Sequence, residues 1–264
     1  MGAALFVCAA GAVQAEPACR ATGEDSAAVV AVTARFEVTL DDGRLARLVG
    51  LAAPAPDFLG GALAVRLREA ADRAWRGRPV IVQASGPPDR WGRAPALLAP
   101  VEGGDDLATW LLGQGAALVG DAREGGVGGP DCPVARLSAE RRAREAGVGL
   151  WSEAYYGVQR AEDRDGLLAR GGSFALVEGT VRRVGTGRLR LYLDFGAGRD
   201  GFSVSATTRV IRAFEAAGTN LRALAGRRVR VRGLIDIYAG RDGDVPRMDL
   251  VGPGALEPLE GGAR

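Results

Sequence analysis

Three sets of residues in this chain have the types and spacing to do chemistry. Arg47 and Arg93 each border a segment that reads as a β-strand. Guanidinium groups so placed can grip a phosphate or carboxylate through paired hydrogen bonds. Arg228, Arg230 and Arg232 alternate along a second segment, so their side chains share one strand face and suit a nucleic-acid backbone or another polyanion. The stacking candidates near that row are Tyr192, Phe195, Phe202 and Tyr238, which core packing would also claim. Cys19 and Cys132 form the third set.

Composition narrows the chemistry further. The 264 residues include no histidine, which excludes histidine triads, histidine metal sites and histidine acid–base catalysis. All 34 basic residues are arginine and face 32 acidic ones, so a net charge of +2 gives no global nucleic-acid signal. From Phe174 onward, however, 15 arginines stand against 10 acidic residues. Residues 1–15 read as the end of a secretory signal, with an apolar run from Ala3 to Val13 and small-residue cleavage at Val13-Gln14-Ala15. That implies a periplasmic or secreted protein with no membrane span after signal removal. Cys8 falls in the signal, so Cys19 and Cys132 are expected to form one disulfide, with two free thiols as the alternative. Two cysteines without histidine fall short of a zinc site.

The elements that must position these residues come in a definite order. Val29–Thr33, Phe36–Leu40 and the stretch from Arg47 read as strands, with a turn at Asp41-Asp42-Gly43. Apolar residues at helical spacing predict a helix over Ala62–Trp75, stopped by Gly77. Pro79–Val82 and Ala94–Pro100 supply two more strands, and helices follow over Asp106–Leu112 and Pro133–Ala146. Five strands with a helix between the third and fourth is the order of an OB-type barrel.

Two motifs sharpen that reading. Arg47-Leu48-Val49-Gly50-Leu51-Ala52-Ala53-Pro54-Ala55 and Asp89-Arg90-Trp91-Gly92-Arg93 resemble the two signatures of the staphylococcal (thermonuclease-like) nucleases. The Gly149-Leu150-Trp151 ending after a charged helix is similar as well, so the resemblance covers residues 28–153. It implies a calcium-dependent phosphodiesterase ancestry, in which two carboxylates and a backbone carbonyl hold Ca²⁺, a glutamate activates water, and two arginines steady the phosphorus. Arg47 and Arg93 stand at the arginine positions. The carboxylate positions are Phe36, Ala52 and Ala55, so neither metal ligands nor base remain, and no cofactor is expected. Glu37 and Asp57 are bystander carboxylates close to those positions. The two arginines would face no carboxylate and suit an anion. Alternatively, Arg47 pairs with a nearby acid and Arg93 holds its own hairpin.

Residues 154–173 read as a linker. Phe174–Val184, Leu189–Phe195 and Phe202–Ser205 then read as strands, Arg209–Leu224 as helix, Val229–Tyr238 as one long strand and Met248–Val251 as the last. This repeats the OB order over 174–258 and resembles the C-terminal module beside nuclease-like domains in some alphaproteobacterial exported proteins. The fold class expected is therefore α+β, mainly β: two OB-type five-stranded barrels, the first carrying C-terminal helices. Gly196-Ala197-Gly198-Arg199-Asp200-Gly201 matches a dinucleotide pattern by letter but joins two strands, and reads as a hairpin loop. Function follows from what is kept and lost: an inactive envelope protein that binds single-stranded nucleic acid, another polyanion or a protein partner. The alternative is an active endonuclease with a rearranged metal site.

Overall fold

A computed structural model describes residues 18–54, 61–120, 128–129, 131–196, 201–240 and 243–259. The signal segment 1–15, Ala55, Asp57 and the centre of the 196–201 loop lie outside them. The chain is α+β with strands predominating. The first half contains β1 (Ser26–Val32), β2 (Glu37–Leu40), β3 (Leu45–Leu48), β4 (Leu51–Ala52), α1 (Ala62–Trp75), β5 (Pro79–Ala84) and β6 (Arg93–Pro100). Then come α2 (Leu107–Gly113), β7 (Leu118–Val119) and α3 (Asp131–Glu145).

Five of these strands close a barrel in the order β1-β2-β3-β6-β5, with β3 and β6 parallel and the other neighbours antiparallel. Alternation builds it: Val38, Leu40, Ala46 and Leu48 are buried, while Glu37, Thr39 and Arg47 point to the other side. Trp75 at the end of α1 plugs the core and meets Trp110 of α2 edge-on, at 6.2 Å between ring centroids.

The stretch after Arg47 is not one strand. β3 ends at Leu48, and the chain turns at Gly50 (φ 78°) before β4 leaves the barrel to pair with β7. Gly50 is required twice: its backbone is left-handed, and a Cβ there would sit 2.2 Å from Nη1 of Arg136. Beside it, Cys19 and Cys132 are joined by a disulfide that links the N-terminal tail to the first turn of α3, packed against Val49 and Leu97.

The second half begins with β8 (Gln159–Arg160) and α4 (Arg164–Leu168), both inside the stretch read as linker. β9 (Phe174–Thr180), β10 (Arg183–Thr186), β11 (Arg190–Asp194), β12 (Ser203–Thr207) and α5 (Thr208–Ala216) follow. β13 (Arg228–Leu234), β14 (Asp236–Gly240), β15 (Gly243–Asp249) and β16 (Leu256–Pro258) complete it. The expected second closed barrel does not form among the described residues; two sheets form instead, β10-β11-β12-β15-β14 and β16-β13-β9-β8. The reason lies in two breaks. The segment read as Phe174–Val184 divides at Val181-Arg182, and the one read as Val229–Tyr238 divides at Ile235, so each sends one part to each sheet. Val177, Leu193, Phe195, Phe202, Phe214 and Val231 pack into the core between the sheets. The helix predicted to reach Leu224 stops at Ala216, ahead of Gly218 at φ 81°.

The halves share packing. Leu118, Ala143 and Trp151 of the first meet Leu176 and Phe174 of the second.

Candidate functional site

β2, β3 and the start of β6 lie side by side and bring the first arginine pair to one face of the barrel. Arg47 is directly across from Glu37 in the β2–β3 register, and Arg93 is across from Leu45 on β3. Arg93 does not face an empty anion pocket. Its Nη1 donates to Glu37 Oε1, its Nε donates to Asp89 Oδ2 at 2.9 Å, and its Nη2 lies 2.8 Å from the same Asp89 oxygen. Asp89 also accepts from the backbone N–H groups of Trp91 (2.9 Å) and Arg93 (3.1 Å), which fixes the hairpin. Asp89, then Glu37, hold the Arg93 pKa above the ordinary arginine value, and the bond from Arg93 holds the Asp89 carboxyl below its ordinary one. The guanidiniums of Arg90 and Arg93 lie 3.9 and 4.6 Å from the centroid of the exposed Trp91 ring.

The side chains of Phe36 and Ala52 offer no oxygen to a cation. Phe36 (φ 60°) is half-buried against core residues and lines a cleft of only about 30 Å³ together with Val32, Leu67, Ala71 and Leu111. Ala52 packs beside Leu118 and Ala64. Among the described residues, one group has the proximity to hold a metal: Cys19, Cys132 and Asp106. Its sulfurs are already bonded to each other. Its carboxylate caps α2 through the N–H groups of Ala108 and Thr109 and accepts from Arg136 at 3.1 Å. The group is structural.

No protein-family model matches the chain, and no curated protein matches it.

The second arginine set shares a face, as alternation requires, but that face is occupied. Arg228 meets Glu178 at 3.0 Å. Arg230 donates to Glu178 from both Nε (2.8 Å) and Nη2 (2.5 Å), and its Nη1 reaches Glu257 at 3.1 Å. Arg232, only 2% exposed, donates to Glu140 Oε2 of α3 at 2.7 Å and to Glu257. Burial alone would depress the Arg232 pKa, but Glu140 and Glu257 outweigh it and raise the value. Burial, then the charge of Arg230, lowers that of Arg144, whose Nη1 is 3.8 Å from Glu140. Of the row, only Arg228 is more than half exposed in its side chain. The network joins α3 to β13, and so one half to the other.

Of the aromatic candidates, Phe195 and Phe202 are core residues, whereas Tyr192 is half-buried and Tyr238 is 48% exposed. Sequence reasoning missed Glu140, Arg136 and Asp106, which sit in segments read as ordinary charged helix. A faint signal existed: Arg136, Glu140 and Ala143 share a face at helical spacing with Ala135 and Ala139, and that face is buried.

Proposed function

We propose that this chain is a staphylococcal-nuclease-like protein that binds single-stranded nucleic acid or another polyanion without cleaving it, as an exported scaffold. The barrel order, with a helix between its third and fourth strands and the Arg47 and Arg93 positions on one face, supports that ancestry. The observation that carries the loss of catalysis is the environment of Arg93. The guanidinium that would steady a transferring phosphorus is bridged by Asp89 and Glu37, so a phosphate must displace two carboxylates to reach it. Phe36 and Ala52 supply no oxygen ligand, and calcium needs six to eight. Ala55 stands where the base would be; a missing general base alone removes about 10²–10⁴ in rate. Binding outlives such losses because it needs positive surface, not a reacting geometry. Filter retention of a labelled single strand tests the binding half of the proposal. Retention should be equal with Ca²⁺ and with EDTA and should weaken with salt. Absence of retention at low salt would overturn it.

A further inference from the structure

The basic surface of the second half lies away from the β13 row. We propose that the outer face of the β10-β11-β12-β15-β14 sheet, with the groove behind the β10–β11 turn, is a track for single-stranded nucleic acid. This rests on the binding reading above but assigns it to residues that reading does not use.

Two adjoining grooves make the track. The first, of about 340 Å³, is lined by Arg183, Tyr192, Asp194, Ser203 and Arg247. The second, of about 280 Å³, runs between the β10–β11 turn and α5 and is lined by Arg188, Leu189, Arg190, Arg212, Glu215 and Arg222. Thr186 and Gly187 line both, so the two grooves meet at the β10–β11 turn. Charge pairing distinguishes this surface from the Arg93 site and the β13 arginine row. Arg183 is held by Asp194 and Arg190 by Asp249, each at 2.7 Å. Arg188, Arg212, Arg222 and Arg247 meet no carboxylate among the described residues; Arg222 reaches only the Thr186 hydroxyl, at 3.4 Å. Arg188, Arg212 and Arg222 thus line the second groove and Arg247 the first, and among the described residues lining them Glu215 is the one acid not engaged by arginine. Such a concentration attracts a chain of phosphates.

Phosphates alone would suit any polyanion; the aromatic rings favour unpaired bases. Tyr192 lies across from Gly185 on β10 and Ser205 on β12, so neither directly opposed residue is bulky. Gly187 keeps the ring edge open as well, since a Cβ there would come within 3.2 Å of Tyr192 Cε2. Tyr238 on β14 carries the Arg247 guanidinium 5.2 Å from its centroid, a cation over a ring at the groove's far side. The two tyrosines stand three strand spacings (about 14 Å) apart across the sheet and four residues (about 13 Å) apart along it, so about 19 Å separates them. A strand of about 4 nucleotides spans that, at the low end for one barrel-sized module. A duplex keeps its bases stacked on each other and cannot use either ring.

The test is fluorescence anisotropy of the whole mature chain with a labelled oligo(dT), across a salt series. The variants are Arg188→Gln/Arg212→Gln/Arg222→Gln, Tyr192→Ala and, as control, the exposed Arg160→Gln on the other sheet. All three substituted arginines of the triple variant are exposed, so its melting temperature should match wild type. Affinity should fall at least tenfold in the triple variant, with the log–log salt slope shallower by about 2. Tyr192→Ala should lose about tenfold with an unchanged slope, and Tyr192→Phe should retain wild-type affinity. Wild-type affinity in both the triple variant and Tyr192→Ala would overturn the track and leave the binding reading standing. A wild type that binds no strand overturns both. Duplex DNA or heparin binding as tightly as oligo(dT), with no loss in Tyr192→Ala, would overturn the single-strand assignment.

Discussion

Replacing Arg232 with methionine should cost more stability than any surface change and should uncouple the two halves. Arg232 is 2% exposed and Glu140 is 1% exposed, and they bond at 2.7 Å. Two opposite charges about 4 Å apart attract by about 4 kcal/mol at an effective dielectric of about 20. Their lost hydration offsets part of this, so the intact pair adds little net stability, but removing one partner strands the other. In Arg232→Met, the Glu140 carboxylate keeps the Val119 N–H (2.8 Å) but has only Arg144, 3.8 Å away, as counter-charge. The expected loss is about 3–5 kcal/mol, a large fraction of the roughly 5–15 kcal/mol that holds a domain folded. Glu140→Gln should cost less, because Arg232 keeps Glu257 and Val119 keeps an acceptor. The double variant should cost less than the sum of the singles by about 2 kcal/mol. Urea unfolding read by tryptophan fluorescence and by far-ultraviolet dichroism measures this. All four tryptophans precede residue 154, so fluorescence follows the first half and, through Trp151, its contact with the second. Wild type should give coincident curves, and Arg232→Met should give curves that separate. A loss within about 0.5 kcal/mol, additive with Glu140→Gln, would refute the buried network.

Three further outcomes are expected. Cys19→Ser/Cys132→Ser should lose about 2–5 kcal/mol in the same urea assay, since the bridge closes a loop across 113 positions; an unchanged midpoint would contradict it. Gly50→Ala should lose about 2 kcal/mol or more, because its Cβ meets Arg136 on a left-handed backbone; a wild-type midpoint would show that Arg136 does not pass there. Stability should be level from pH 5 to 8 and fall below about pH 4. Asp25 and Asp89 titrate below their ordinary value chiefly because arginine side chains donate to them, and Asp42 because the Arg44 N–H does. A carboxylate depressed in the fold contributes stability above its unfolded pKa and loses it as pH falls through the folded one. A slope between pH 6 and 8 would contradict this.

Local pattern made much of the first half legible. Alternation in β2 and β3, helical spacing in α1 and the turn glycines are short-range signals, and each reports a face buried against the barrel core. The disulfide was expected, beside the alternative of two free thiols, only because setting Cys8 aside with the signal left two of the three cysteines. The second half was less legible because its breaks at Val181-Arg182 and Ile235 occur inside β-forming sequence, and the glycines two residues before them, Gly179 and Gly233, lie within β9 and β13. The arginine row had the right period but the wrong surroundings. Alternation placed Arg228, Arg230 and Arg232 on one face, yet only tertiary packing brings Glu140 from 92 positions away. Conversely, Arg188, Arg212 and Arg247 share no sequence period; the sheet and α5 assemble them.

The central claim is binding without hydrolysis, and one tube can test both parts. A 5′-labelled single strand of DNA, and separately of RNA, is incubated with stoichiometric wild-type protein in Ca²⁺ or in EDTA. Half of each sample is resolved on a native gel and half on a denaturing one. The account predicts a shifted band on the native gel and an intact strand on the denaturing gel, the same in both ions. Cleavage products that grow with time in Ca²⁺, vanish in EDTA and are lost in Arg93→Ala would contradict it.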